Sequence, residues 1–246
     1  MDHVVYLAAA GAGEAMLAQA INSNNLANVS TVGFRADLVT AQSAYFDSDA
    51  RNSRVFSQHK GLGTNFDKGM VTSTGRDLDL AINGDGWMTV MAPDGSEALT
   101  RRGDLRVNDL GQLVNGAGLQ VMGDGGPISL PEYSKVAIGT DGTISIIPLG
   151  EDPNTMAEVD RIGLVNPDNA ELYKDASGLI RVRGGELPPP DAAIRLIPGA
   201  LESSNVDSVG AMVHMIELAR QFESHAKIMK VAEQLDAASA ELMSLS

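Results

Sequence analysis

The residues in this 246-residue chain best spaced to do chemistry are Asp77 and Asp79. On an extended strand, side chains two apart share a face at about 7 Å, a separation compatible with the paired carboxylates of glycoside hydrolysis. The same Asp-x-Asp at a strand entry, beside Arg76, also reads as turn chemistry with a local ion pair, and so acidic a chain favours that reading. A calcium loop does not fit, because Ala81 and Ile82 stand where an oxygen ligand and a turn glycine are needed. The four histidines, His3, His59, His214 and His225, are scattered without the spacing of a zinc motif, and three helical turns separate the last two. Gly61-Leu62-Gly63 and Gly116-Ala117-Gly118 lack the rest of a dinucleotide fingerprint and are expected to be turns, and no phosphate-loop lysine occurs. Without cysteine there are no disulfides, thiolate metal sites or thiol nucleophiles. No catalytic residue, metal or cofactor is expected.

The elements around these residues must then carry the function. With 18 Lys and Arg against 32 Asp and Glu, the formal charge of −14 opposes a phosphate backbone, so nucleic acid is not an expected partner. Aromatics make up only 4% while glycine numbers 26, which predicts aliphatic, thin cores in several modules rather than one large one. No transmembrane segment is expected, because the best apolar run, Val4 to Gly13, is stopped by Glu14 short of the ~18 residues a span requires. The opening Met1-Asp2-His3 carries no basic residue, so export, if it occurs, is expected to proceed without a conventional cleaved signal.

Two helical segments bracket the chain. Val5, Ala9, Ala12, Met16 and Ala20 recur on one face of a small-residue helix over residues 5–21 that closes in Asn24-Asn25-Leu26-Ala27-Asn28. From Asp207 onward a second helix carries Val209, Met212, Ile216, Ala219, Phe222, Ala226 and Met229 at steps of three and four. Its start is signalled by Ser204, Asn205 and Asp207, with Ser204-x-x-Asp207 as an acidic capping box, while Gly210 costs about 1 kcal/mol of helix propensity. About 38 residues of helix span ~57 Å, against a radius of gyration near 18 Å for a compact chain of this length. An antiparallel pair closing one globule is one solution, but the second helix overruns the first, so part of its stripe needs cover from outside the subunit's own core.

Between the helices, Val29 to Phe34 reads as a helix stop followed by extended chain, and residues 35–68 as an extended or partly ordered arm. From Leu78 the turn dipeptides Asn83-Gly84, Asp85-Gly86, Asp94-Gly95, Asn115-Gly116, Asp124-Gly125 and Asp141-Gly142 divide short strands of a compact antiparallel β module. Strands are predicted at 87–91, 98–102, 112–114, 119–122, 136–138, 143–147, 162–165 and 179–183, with a return at 194–197. Residues 151–158 read as a polar excursion, and Gly184 to Pro190 as a stiffened linker.

Three blocks of these residues resemble the flagellar rod, hook and hook-associated protein family: Asn24 to Phe34, Thr74 to Trp87 with Thr100-Arg101-Arg102-Gly103, and Gly199 to Asp207 with the helix behind it. Val32 stands where many relatives carry proline. Within the family, the opening Met1 to Tyr6, the Gly123 to Pro127 turn and the modest length look most like the proximal-rod members, with the distal-rod members next. The resemblance implies a structural subunit of the bacterial flagellar basal body, exported by the flagellum's own type III apparatus and assembled in the periplasm. Its partners would be further copies and other rod proteins. It also implies that the chain's ends are disordered before assembly.

The expected fold is α+β: long N- and C-terminal helices paired as a coiled-coil-like stalk, with a central antiparallel β-rich module inserted between them. Residues 1–33 and 205–246 would form an inner tube, 34–77 and 190–204 a connecting arm, and 78–189 an outer β domain. The expected assembly interface is Val5, Ala9, Ala12, Met16, Asn24, Asn25, Leu26, Asn28, Gly33 and Phe34 with Val209, Met212, Ile216, Ala219, Phe222, Ala226 and Met229. The asparagines either fix register between helices, having both donors and acceptors, or end the helix, and the two roles are compatible.

Overall fold

A computed structural model describes residues 2–45, 55–152 and 155–244. They fall into two compact units: residues 1–29, 36–65 and 206–246, and residues 30–35 and 66–205.

In the first unit, helix α1 (Asp2–Ala27) packs on helix α2 (Ser208–Ser244). Asn22 Nδ2 donates to Ala211 O at 2.7 Å, and Gly11 lies under the His225 ring, so the two helices run antiparallel. At 1.5 Å per residue, α1 spans ~39 Å and α2 ~55 Å, which leaves α2 the longer by about three turns. The seam is lined by Ala8, Ala12, Ala15 and Ile21 from α1 and Ala211, Leu218 and Ala232 from α2. Small side chains there allow the close approach that a Cβ on Gly11 would block, since it would meet the His225 ring at 2.5 Å. By length and composition alone Val4–Ala27 is apolar enough to cross a membrane, contrary to the expectation drawn from Glu14. That apolarity comes from Val4, Val5, Leu7, Leu17 and Ile21 together with the alanines.

Asp207 caps α2: its carboxylate accepts the Val209 N–H at 3.1 Å and its carbonyl the Ala211 N–H at 2.9 Å. The box from Ser204 is therefore not what starts the helix. Gly210 has a purpose there, because a Cβ would meet the Asp207 carboxylate at 2.5 Å.

Residues 35–68, expected as an arm, contain an antiparallel strand pair, Asp37–Tyr45 with Val55–Thr64, in a register from Asp37↔Thr64 to Tyr45↔Val55 with an irregularity between Val39 and Ala41. Gly61 and Gly63 accordingly lie in a strand rather than a turn. Mixed polar residues concealed this pair, since cross-strand hydrogen bonding does not require an alternating pattern in the sequence.

The second unit is the antiparallel β module. A nine-stranded sheet includes Trp87–Met91, Glu97–Thr100, Leu113–Val114, Gln120–Gly123, Leu172–Lys174 and Ile180–Val182. A three-stranded sheet joins Tyr133–Ile138, Thr143–Pro148 and Ala157–Arg161. The last of these overlaps the expected polar excursion; its exposed Ala157 and Glu158 hide the edge strand in the sequence. The main core gathers aliphatic residues such as Leu80, Val90, Leu105, Leu113, Val121, Ile128 and Ile144, and a second surrounds Trp87 and Leu99. Two short ladders close the module where the chain enters and leaves: Val71–Ser73 pairs with Ala200–Glu202, and Leu80–Asn83 with Arg195–Pro198.

Candidate functional site

The structure sorts the expected interface residues into three groups. Ala12 is buried in the α1–α2 seam, and Val5, Ala219, Phe222, Ala226 and Met229 are half-buried along it. Ala9 is exposed, as are Met16 at 58%, Val209 at 68%, Met212 at 52% and Ile216 at 57%. These exposed residues, with Leu7, Leu17 and Val213, make apolar faces on both helices that the described residues leave uncovered. The stripe counted from Val209 is thus displaced from the seam in its first half, because Ala211 and Leu218, one small and one large, carry the intrachain contact.

The asparagines divide by partner. Asn25 exchanges two hydrogen bonds with the Asp37 backbone, both at 2.8 Å, so its amide imitates a strand neighbour at the start of the hairpin. Asn24 is exposed and its carbonyl accepts from the Asn28 backbone and side chain, which closes the last turn of α1. Leu26 and Asn28 are half-buried. Asn22, which the sequence reading passed over, is the buried asparagine that bridges the helices; it belongs to the same asparagine-rich run, which was the available signal.

Gly33 and Phe34 lie in the β module, half-buried, and lead to a charge cluster that sequence reasoning missed. Glu202, 1% exposed, receives Arg35 Nη2 at 2.5 Å and the Gly69 N–H at 2.9 Å on one oxygen, and Arg101 Nη1 at 2.9 Å on the other. Its backbone carbonyl accepts the Gly33 N–H at 2.8 Å. Arg101 Nη2 donates to Gly84 O at 2.9 Å. Both guanidinium carbons sit over the Trp87 ring, at 5.7 Å for Arg35 and 5.4 Å for Arg101, and Phe66 meets that ring edge-on at 5.9 Å. Among the described residues the buried Nε groups of the two arginines find no acceptor, and the indole face offers electrostatic compensation. Lys174 Nζ donates to Arg35 O at 3.0 Å and lies 4.0 Å from the centre of the Phe34 ring. Gly33 adopts φ +66°, and a Cβ there would strike the Arg101 backbone, so only glycine lets the segment enter this site.

Burial alone would raise the Glu202 carboxyl, but the Arg35 and Arg101 charges and the Gly69 N–H outweigh it and hold the group below the usual carboxylate range. Burial pushes the Arg35 guanidinium down, against the opposing pull of Glu202. Three donors meeting two buried oxygens is an arrangement for fastening backbone, not for proton transfer: one oxygen is engaged by a cation and an amide and the other by a cation. Its residues were legible only as parts of separate blocks, since Arg35 follows the first, Trp87 and Arg101 lie in the second and Glu202 in the third.

Asp77 and Asp79 do not share a strand face. Asp77 is exposed in a turn, whereas Asp79, 1% exposed, accepts Thr74 Oγ1 at 2.6 Å and pairs with Arg76 at 3.4 Å. That is the turn-and-ion-pair arrangement. Among the described residues no group of three or more His, Asp and Glu side chains is placed to hold a metal ion.

Two family models match the chain: residues 81–146 match the flagellar hook protein FlgE/F/G D1 domain, and residues 197–242 the flagellar basal body rod FlgEFG protein C-terminal model. Along its whole length the chain is similar to the flagellar basal-body rod protein FlgF of Salmonella typhimurium, with 38% identity over 252 residues and 100% of both chains covered. It is 35% identical to the FlgF of Escherichia coli over the same coverage. The flagellar basal-body rod protein FlgG of Bacillus subtilis is 30% identical over 86% of this chain and 88% of the relative.

Proposed function

The chain belongs to the flagellar basal-body rod protein family, and from that premise we propose that it is a structural subunit of the bacterial flagellar rod, most like FlgF and hence proximal, which transmits torque and passes exported subunits through a hollow shaft. The full-length likeness to FlgF carries this reading, at 38% and 35% identity against 30% for the FlgG relative. No catalysis is assigned to it. Its partners are further copies and neighbouring rod proteins, it reaches the periplasm through the flagellar type III apparatus, and it takes its place in the basal body there.

In this reading residues 1–33 and 205–246 form the inner-tube part, 34–77 and 190–204 the connecting arm, and 78–189 the outer β domain. Spacings of seven support a coiled-coil-like stalk, since Ala8, Ala15 and Asn22 on α1 and Ala211, Leu218 and Ala232 on α2 are buried at multiples of that interval. Polymerisation would cover the exposed Met16, Val209, Met212 and Ile216, and would use Val5, Ala9, Ala12, Asn24, Asn25, Leu26, Asn28, Gly33, Phe34, Ala219, Phe222, Ala226 and Met229 in or beside the contact.

Phe222→Asp, or deletion of the last 30 residues, tests this in a strain lacking the native subunit. Motility and incorporation into purified basal bodies are expected to be lost, while Trp87 fluorescence retains the folded-module signature. Normal swimming by either strain would defeat the proposal.

A further inference from the structure

The chain passes between its two units four times, between residues 29 and 30, 35 and 36, 65 and 66, and 205 and 206. Within the β module, the residues at these crossings are bonded to one another. Gly33 N–H donates to Glu202 O at 2.8 Å, Asn205 N–H to Phe34 O at 3.3 Å, and Asn205 Nδ2 to Asp67 O at 2.9 Å. Glu202 is the common partner: its side chain holds Arg35 from the first pair of crossings and the Gly69 amide from the third, and it lies three residues before Asn205 at the last. Gly69 is fitted closely, because a Cβ there would strike the Ser203 carbonyl. Arg101 and Trp87 anchor the same carboxylate and its cations to the module's own sheet.

We propose that Glu202 is a positioning residue, a buried fastening that holds all four chain crossings at fixed mutual spacing, so that a twist applied to the β module is delivered to every crossing segment at once. This rests on the rod-subunit reading for its purpose, since a torque-bearing subunit cannot let its connecting segments swivel independently. The bonding itself stands apart from that reading. A carboxylate suits the task because its two oxygens serve three donors from separate stretches of chain, which no apolar contact could hold in register.

Hydrogen exchange on the full-length chain, compared for the wild type, Glu202→Gln and Arg35→Met, tests the fastening. The neutral amide offers one oxygen where three donors shared two, and Arg35→Met removes one cation while Arg101 still neutralises the carboxylate. Glu202→Gln is expected to speed exchange at Gly33, Gly69 and Asn205 by about tenfold or more beyond the change at Val90 and Val121 in the sheet, which follows only the module's overall loss of stability. Arg35→Met should do so at Gly33 and Asn205 and spare Gly69. Unchanged protection at these amides in both variants would overturn the proposal, as would uniform loss across the module in both. If Glu202→Gln alone unfolds the module, the Arg35→Met pattern decides. Incorporation of the wild-type chain into basal bodies is measured alongside; its failure would count against the rod reading and leave the exchange result to judge the fastening.

Discussion

Taking the charge from Glu202 leaves the Arg35 and Arg101 guanidinium groups buried over one indole ring without the carboxylate they share. Breaking a buried ion cluster by removing one partner costs about 3–5 kcal/mol, so Glu202→Gln is expected to lower the urea midpoint of the β module, read by Trp87 fluorescence, by a corresponding amount. The native carboxyl lies below its unfolded value, so its contribution is complete above the ordinary glutamate pKa of about 4.3 and is lost as the pH falls from there through the depressed native value. Wild-type stability should therefore fall more steeply than that of Glu202→Gln on acidification below about pH 4, and parallel curves would contradict this. Asp77 and Asp79 illustrate the opposite case, in which a suggestive spacing dissolved: one carboxylate faces solvent and the other is consumed by Thr74 and Arg76. A pair two residues apart shares a face only if the backbone between them is extended, and here it turns.

At the scale of elements, α1 and α2 were legible as helices from periodicity and caps, and nearly all of the expected strands appeared with shifted ends because turn glycines and aliphatic runs mark them locally. The hairpin of residues 37–45 and 55–64 was not legible, since its ladder joins a mixture of polar and apolar residues that shows no sustained alternation along either strand. Nor was the true seam of α1 and α2. A seam of alanines has weak contrast with the rest of an alanine-rich helix, so the larger apolar side chains at Val209, Met212 and Ile216 dominate the pattern although they face outward. The close approach at Gly11 and His225 offers a direct check. Gly11→Val, which adds branched bulk under the imidazole ring, is expected to weaken the pair by about 1–3 kcal/mol and lower its melting temperature in far-UV circular dichroism. A stabilising effect would show that the seam has slack.

Across the whole molecule, apolar burial is unequal. The large buried side chains of both hydrophobic clusters belong to the β module, whereas the helix pair rests mainly on alanine, Ile21 and Leu218. The two units should therefore unfold separately, and the chain supplies its own probes: helical dichroism reports α1 and α2, and the single tryptophan, Trp87, reports the module. The helical signal is expected to melt at a lower temperature than the fluorescence, and coincident curves would refute this. Family, helical ends and the antiparallel character of the middle are properties of residue pattern, because caps, turn dipeptides and the three signature blocks are local and survive in one dimension. The meeting of Arg35, Trp87, Arg101 and Glu202 is decided only in three dimensions. Each residue is ordinary in its own segment, and the low-dielectric site that gives their charges strength exists only after chain more than a hundred residues apart has been brought together.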